Sequence, residues 1–381
     1  MRKEYVSFSE LPEFDLWGRM KANRRLIDFD LELTARCNLD CRHCYINVPA
    51  GDRKAKAEEL SRDEIRGIAG EAVSLGAVWC LLTGGEPLLR EDFFEVYLDL
   101  KKAGLLLSVF TNATLIGDEH IRFFKKYPPR EIEITVYGVT PQVYERVTRK
   151  PGSFQAFSRG LDMLRRNEIS IRLKAMALRS NAAELPQIAE FCRGRSKGLF
   201  RFDPLLHLRY DRNPLRNREI AEERLSPEEI VDLERKDKDR FKSLEDNCDR
   251  LIVPELEHKN CSRLFHCAAG VRNFTLGPTG QFRLCASLFH PECVFDLRKG
   301  RLSEAWERLV PKVREMESLK PAYAKKCHIC PIINLCIWCP AHAFLETGEL
   351  DTPVDYFCLV AHARASSLEK AVRLDDSATK I

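Results

Sequence analysis

No apolar run in this 381-residue sequence approaches the roughly twenty residues that a membrane-spanning helix needs. The opening residues, Met1-Arg-Lys-Glu-Tyr-Val-Ser-Phe-Ser-Glu10, lack the apolar stretch of a secretory signal. A formal charge of +4, left by 61 basic and 57 acidic residues, is too nearly balanced to mark a protein of nucleic acid or membrane surfaces. No internal repeat or low-complexity tract interrupts the chain. These absences predict a cytoplasmic protein with neither nucleic acid nor membrane among its partners. Fifteen cysteines in such a chain then call for metal, because reducing compartments do not sustain disulfides.

Three of those cysteines crowd into Arg36-Cys-Asn-Leu-Asp-Cys-Arg-His-Cys-Tyr45, where Cys37, Cys41 and Cys44 are spaced C-x3-C-x2-C. So dense a set reads as metal ligands. A structural zinc or a closed iron–sulfur cluster takes four protein ligands, whereas three leave one metal position open for something else. The alternative is a partial zinc site completed by a distant Cys or His, in which His43 is itself a candidate ligand.

Short apolar strands alternate with helical patterns from about residue 27 to about 206. The strands are Ile27–Leu33, Ala77–Thr83, Leu105–Thr111, Glu131–Tyr137, Ile169–Leu178 and Leu199–Leu205. Between the first two, Ser61-Arg-Asp-Glu64 is a capping box, and Ile65, Ile68, Ala69, Ala72 and Val73 form one apolar helix face. Strands at this spacing with helices between them predict βαβ units, a parallel sheet and an α/β fold. Cys37 and its neighbours follow the first strand and Gly84-Gly85-Glu86-Pro87 follows the second. Both motifs therefore fall at carboxyl ends of strands, where barrels and doubly wound sheets place their sites. Residues 209–250 change character to interleaved acids and bases, with Ser226-Pro-Glu-Glu229 as a second helix start, and read as a solvated connecting helix.

The cysteine triplet together with Gly84-Gly85-Glu86-Pro87 resembles the radical S-adenosylmethionine (SAM) enzymes. The resemblance implies a partial (β/α)6 TIM-like barrel with a [4Fe–4S] cluster on Cys37, Cys41 and Cys44, and SAM chelating its fourth iron. One electron from the cluster then splits SAM to a 5′-deoxyadenosyl radical, which abstracts hydrogen from substrate. It also assigns cofactor contacts: Gly84, Gly85 and Glu86 near the SAM amino group, His43 near the adenine, and Asn112 toward the ribose. Thr135 ends the fourth strand within the same expected site. Arg172 and Lys174 alternate on the fifth strand, so both point to one face; inside the barrel one of them would pair the SAM carboxylate, and outside it they would be surface charges. Asp203 closes the sixth strand before Pro204. It is either a base for the proton lost after hydrogen abstraction or the opening of a turn.

A second cysteine set begins at Cys261 and resembles the SPASM extension of many radical SAM enzymes, where two auxiliary [4Fe–4S] clusters have protein ligands. Carried over, the pattern gives Cys261, Cys267, Cys285 and Cys339 to the first cluster and Cys327, Cys330, Cys336 and Cys358 to the second. Two residues, not the usual three, separate Cys336 from Cys339, which leaves the assignment of Cys339 open. The alternative for this region is a zinc ribbon. Cys80 and Cys192 lie in apolar surroundings and read as core residues, while Cys248 and Cys293 are unassigned.

The expected organisation is an N-terminal extension (1–25), a radical SAM core (26–208), a charged helical linker (209–255) and a SPASM-like domain (256–381). The expected activity is oxidative modification of a peptide or protein, of the kind that matures ribosomal peptides or sulfatases. The resemblance implies flavodoxin or ferredoxin as electron donor. About 25 residues precede the first strand, too few for a leader-recognition domain, so a separate leader-peptide-binding protein is also expected. The alternatives are a small-molecule substrate such as a tetrapyrrole, or a non-catalytic iron–sulfur or zinc protein.

Overall fold

The computed structural model describes residues 25–196, 200–252, 263–318 and 320–378. The N-terminal residues 1–24 and Cys261 lie outside them.

The first barrel strand shows how the sequence fixes the fold. In β1 (Asp28–Thr34) Phe29, Leu31 and Leu33 are each 1% exposed, and by the two-residue period of a strand they share one face. Asp28, Asp30, Glu32 and Thr34 take the other face, toward the barrel interior. Five further strands follow in parallel: β4 (Trp79–Gly84), β5 (Leu106–Phe110), β6 (Glu131–Val136), β7 (Ile171–Met176) and β8 (Arg201–Asp203). They lie side by side in that order, with helices in the crossovers. All six predicted strands are present, with ends displaced by up to two residues. Two short pieces, β2 (Arg36–Cys37) and β3 (Val48–Pro49), pair with each other and clamp the base of the cysteine loop.

The helix Arg62–Ser74 has the capping box read from its sequence. Ser61 Oγ accepts from Glu64 N–H at 3.3 Å and Glu64 Oε2 accepts from Ser61 N–H at 2.7 Å. Its Ile65, Ala69 and Ala72 are buried, with Ile68 and Val73 packed at the margin of the core.

Three strands not anticipated from the sequence join the same sheet beyond β1. Here β9 (Asn273–Leu276) runs parallel to β1, and β10 (Gln281–Arg283) and β11 (Phe295–Asp296) continue antiparallel. The sheet order among described residues is β11-β10-β9-β1-β4-β5-β6-β7-β8. Part of the cysteine-rich region is thereby hydrogen-bonded directly to the barrel.

The charged stretch after 209 is not one solvated helix. It folds as Pro214–Glu223, Pro227–Lys236, Lys238–Asp246 and Cys248–Leu251, the second opening on the Ser226–Glu229 capping box. Glu223 and Glu234 are nearly inaccessible, at 2% and 1%. Glu234 accepts from Arg364 at 2.7 and 3.0 Å and from Arg240 at 2.7 Å. Interleaved charges here are internal ion pairs, which alternation of sign in a sequence does not distinguish from a solvated face. No described helix is long and apolar enough to cross a membrane.

Candidate active site at the barrel mouth

The cysteine loop is anchored from two sides. Asp40 N–H and Arg42 N–H donate to the last carbonyls of the helix Pro141–Thr148, at 3.0 Å to Thr148 and 3.1 Å to Val147. Arg216 Nη2 donates to the Cys41 carbonyl at 3.1 Å. Arg209, 4% exposed, donates to Asn47 O at 3.0 Å and pairs with Asp211 at 3.1 Å. The result brings Cys37, Cys41 and Cys44 to one wall of a cavity of about 380 Å³, a size suited to a small organic ligand.

Burial pushes the Cys37 thiol up to about 12 and raises Cys41 and Cys44 as well, the neighbouring cysteines adding to Cys41. Left alone the three are neutral thiols; a bound cation is what would make them thiolates. Two already receive backbone donors, Leu39 N–H to Cys37 Sγ and Asn47 N–H to Cys44 Sγ, each at 3.4 Å. Among the described residues no three His, Cys, Asp or Glu side chains come close enough together to hold a single metal ion.

Gly84 and Gly85 are required where they stand. Gly84 has φ of +119°, and a Cβ on it would lie 2.3 Å from the Thr34 carbonyl oxygen. A Cβ on Gly85 would lie 2.3 Å from Arg36 O and 2.7 Å from Ala35 O. The turn is drawn against the start of the cysteine loop by Gly85 N–H to Thr34 O at 2.7 Å and Glu86 N–H to Arg36 O at 2.9 Å. Both glycines line the cavity, leaving bare backbone beside the cysteines as an amino-acid ligand would need. The donor set and the cradle thus fit an iron–sulfur cluster with SAM.

Glu86 does not face the cavity. It is fully buried behind the wall, where Oε1 accepts from Thr111 Oγ1 at 2.8 Å and Leu88 N–H at 3.1 Å. Its Oε2 accepts from Asn112 N–H at 2.8 Å. Burial outweighs these three donors and lifts its pKa to about 7. Glu86 ties the glycine turn to the end of β5 and so positions Asn112, which does line the cavity. Asn112 Nδ2 donates to Asn38 Oδ1 at 2.9 Å and lies 3.8 Å from Cys37 Sγ.

His43 and Thr135 line the cavity. The His43 ring tilts against Tyr137 at 5.1 Å, and burial pushes its pKa down to about 4, so it is a neutral wall residue. Lys174 also lines the cavity, paired with Glu133 and 3.8 Å over the Phe110 ring. Arg172 does not. It lies nearer the amino end of β7, half-exposed and paired with Glu131 at 3.1 Å. Sharing a strand face with Lys174 did not place it at the same end of the barrel. Asp203 lines the mouth and accepts from Leu205 N–H at 3.1 Å, the turn geometry expected before Pro204.

Several lining residues escaped the sequence reading: Asp30, Glu32, Tyr45, His207 and Thr275. For Asp30 and Glu32 the signal was present, because acids alternating with Phe29, Leu31 and Leu33 cannot face the same core. His207 and Thr275 come from a loop and from β9, and no local pattern marks them.

The C-terminal cysteines gather in two places. Cys327, Cys330, Cys336 and Cys358 line a second cavity of about 90 Å³. Burial raises the Cys339 thiol, with Cys285 and Cys267 adding to it, and burial likewise raises Cys285, with Cys267 adding to it. Cys80 and Cys192 are core residues at 1% exposure, and Cys293 is buried with its Sγ 3.9 Å from Met316 Sδ.

The family model of the radical SAM superfamily matches residues 31–192, from β1 through the helix that precedes β8. Residues 31–192 are a radical SAM domain. Membership implies a [4Fe–4S] cluster and SAM, for which the three cysteines and the glycine cradle have just been described. The AdoMet-dependent heme synthase of Methanosarcina barkeri is 24% identical over 342 residues, spanning 84% of this chain and 92% of that protein. The antilisterial bacteriocin subtilosin biosynthesis protein AlbA of Bacillus subtilis is 23% identical over 294 residues, covering 74% of this chain but 62% of AlbA. The PqqA peptide cyclase of Rhizobium meliloti matches over 159 residues at 28%, or 42% of each chain. Among solved structures, Streptococcus suis SuiB bound to S-adenosylmethionine superposes with a TM-score of 0.65 over 93% of this chain and 83% of SuiB, at 12% identity. The anSMEcpe structure with bound AdoMet gives 0.62 over 93% and 96%, at 14% identity. The likeness to these two structures is one of fold: the radical SAM barrel and the region after it share one architecture with both.

Proposed function

We propose that this radical SAM enzyme oxidatively modifies a side chain of a peptide or protein. The observation that carries the reading is the charge of the cavity. Asp30, Glu32, Glu133 and Asp203 line it against one lysine, Lys174. Arg283 answers Glu32 and Lys174 answers Glu133, which leaves an excess of carboxylate. A tetrapyrrole, with its own carboxylates, would meet like charge there; a peptide segment would not. The peptide-named relatives AlbA and PqqA peptide cyclase, and SuiB solved with its precursor peptide SuiA, are in keeping with this reading.

On Cys37, Cys41 and Cys44 the cluster would supply the electron that cleaves SAM to a 5′-deoxyadenosyl radical. Gly84 and Gly85 leave backbone bare for the methionyl end of SAM, and Asn112 and Thr135 bound the space beside it. Lys174, held by Glu133, offers a cation to the SAM carboxylate. Neutral His43 forms an uncharged wall toward the adenine. Asp203 at the mouth would accept a proton from substrate. Cys267, Cys285 and Cys339, with Cys261, would hold one auxiliary cluster, and Cys327, Cys330, Cys336 and Cys358 a second. A flavodoxin or ferredoxin would deliver electrons, and a separate leader-peptide-binding protein would present the substrate.

The heme synthase match, which spans most of both chains, favours a second reading in which the substrate is a tetrapyrrole. One experiment separates them. Reduced enzyme and SAM are given either a library of short peptides or an iron tetrapyrrole, and products are weighed by mass spectrometry. Loss of hydrogen from the peptide is the expected result; a modified macrocycle with unchanged peptide overturns the proposal.

A further inference from the structure

The Asn112 side chain stands between the cavity and the cysteine loop with both ends of its amide engaged. Its Oδ1 accepts from Thr114 N–H at 2.9 Å and from Thr114 Oγ1 at 2.6 Å. A backbone N–H can only donate, so the first contact fixes which end of the amide is oxygen. The nitrogen end therefore faces the cysteine loop, where Nδ2 donates to Asn38 Oδ1 at 2.9 Å and lies 3.8 Å from Cys37 Sγ. Asn38 Nδ2 in turn donates to Thr114 Oγ1 at 2.8 Å, which closes a triangle of three side chains. Asn38 takes one of the two amide hydrogens of Asn112, and the Cys37 sulfur is in reach of the other.

The backbone is strained to hold the amide there. Ala113 is fully buried with φ of 61°, in the left-handed region that residues with a Cβ rarely adopt. It is held from two sides. Ala113 N–H donates to Thr111 Oγ1 at 3.1 Å, and Asn112 N–H to Glu86 Oε2 at 2.8 Å. Opposite them the helix Ser153–Arg166 runs so close that a Cβ on Gly160 would lie 2.0 Å from Ala113 O. Strain of this kind persists only where the surroundings over-determine it, and it collects at functional sites. Asn112 lines the cavity, yet its amide oxygen is taken by Thr114 and its hydrogens point to Asn38 and Cys37. The function to look for is on the sulfur side.

We propose that the Asn112 amide, held by Asn38 and Thr114, is a hydrogen-bond donor to the Cys37 sulfur and makes the cluster on Cys37, Cys41 and Cys44 easier to reduce. Cys37 Sγ already receives Leu39 N–H at 3.4 Å, so the amide is its second donor. Donors to cluster sulfurs disperse the negative charge gained on reduction and so raise the reduction potential. Asn112 acts through the sulfur and is a positioning residue. The proposal rests on the cysteine triplet holding a cluster.

The test uses reconstituted full-length protein and three variants. Asn112→Ala removes the donor. Thr114→Val removes the hydroxyl that pins the amide, and Thr114→Ser keeps it; Thr114 is buried and does not line the cavity. The readout is the ratio of reduced to oxidised SAM-binding cluster at fixed solution potential, measured without SAM on the paramagnetic signal that changes when SAM is added. Asn112→Ala is expected to lower the ratio about three- to tenfold, a shift of about 28 to 59 mV for a one-electron couple. Thr114→Val should lower it about threefold, while Thr114→Ser stays within about twofold of wild type. A ratio within about twofold of wild type in Asn112→Ala overturns the inference alone, even where SAM then binds more weakly. A Thr114→Val ratio that matches Thr114→Ser overturns it too, and decides the matter if Asn112→Ala takes up no iron. A wild-type protein with no SAM-responsive signal contradicts the cluster itself and removes the inference with it.

Discussion

Arg283 and Glu32 stand 251 residues apart in sequence and form a hydrogen-bonded ion pair in which both side chains are 1% exposed. Glu32 also accepts from Tyr45 OH at 3.2 Å, and the Arg283 guanidinium lies 4.0 Å over the Phe289 ring. One residue belongs to the first barrel strand and the other to the cysteine-rich region, so the pair fastens the second half of the chain to the cavity wall.

Removing one partner should be costly, because it leaves the other charge buried. Arg283→Met is expected to lower the unfolding free energy by about 3–5 kcal/mol, measured by urea denaturation. The double variant Arg283→Met/Glu32→Gln should lose less than the two single losses added together. Additive losses would show that the pair is not a unit.

The glycine cradle makes a sharper prediction. Gly85→Ala puts a methyl group 2.3 Å from the Arg36 carbonyl oxygen, so the cysteine loop must shift. Cluster loading should fall by more than half and SAM cleavage should disappear. Gly51→Ala, where an added Cβ meets nothing within 4 Å, should retain both. Iron content and released 5′-deoxyadenosine check the two together.

Asp30 should give the protein a pH signature. Burial, with Asp28 and Glu32 adding to it, raises its pKa from the ordinary carboxylate range to about 6, against one hydroxyl donor, Thr275 at 3.3 Å. Between the unfolded and folded values such an acid is neutral in the folded state while the unfolded chain has already ionised; above about 6 it is ionised in both. Its contribution is therefore present below the unfolded pKa and is lost as pH rises through the folded one. Relative to wild type, Asp30→Asn should lose less stability as pH rises from about 4 to about 7. Urea midpoints across that range test this; parallel curves would contradict it.

Much of this was legible beforehand, for reasons particular residues make plain. The six barrel strands announced themselves through apolar runs separated by helix periodicity, and the Ser61 capping box fixed one helix start. The cysteine loop and glycine turn were legible because their chemistry is tied to spacing. Arg172 was misplaced because a period of two predicts a face and says nothing about distance along the barrel axis. Glu86 lies behind the wall because three donors hold it there, a three-dimensional fact. The strands β9 to β11 are short and lie far from β1 in sequence, so their pairing leaves no local pattern. Arg283 and His207 reach the cavity or its wall for the same reason.

Cysteine replacement should separate the two cysteine regions. Cys44→Ala is expected to abolish SAM cleavage. Cys330→Ala removes a residue from the distant cavity shared with Cys327, Cys336 and Cys358, and should leave cleavage without substrate measurable while lowering bound iron. Loss of basal cleavage in the Cys330 variant would mean that the two regions do not act independently.

The most direct measurement is anaerobic reconstitution with iron and sulfide, then dithionite reduction with SAM and chromatography for 5′-deoxyadenosine. The account predicts about twelve iron atoms per chain, as three [4Fe–4S] clusters require, together with 5′-deoxyadenosine formed in the wild type and absent in Cys44→Ala. Bound zinc with intact SAM, or normal 5′-deoxyadenosine release by the Cys44 variant, would contradict it.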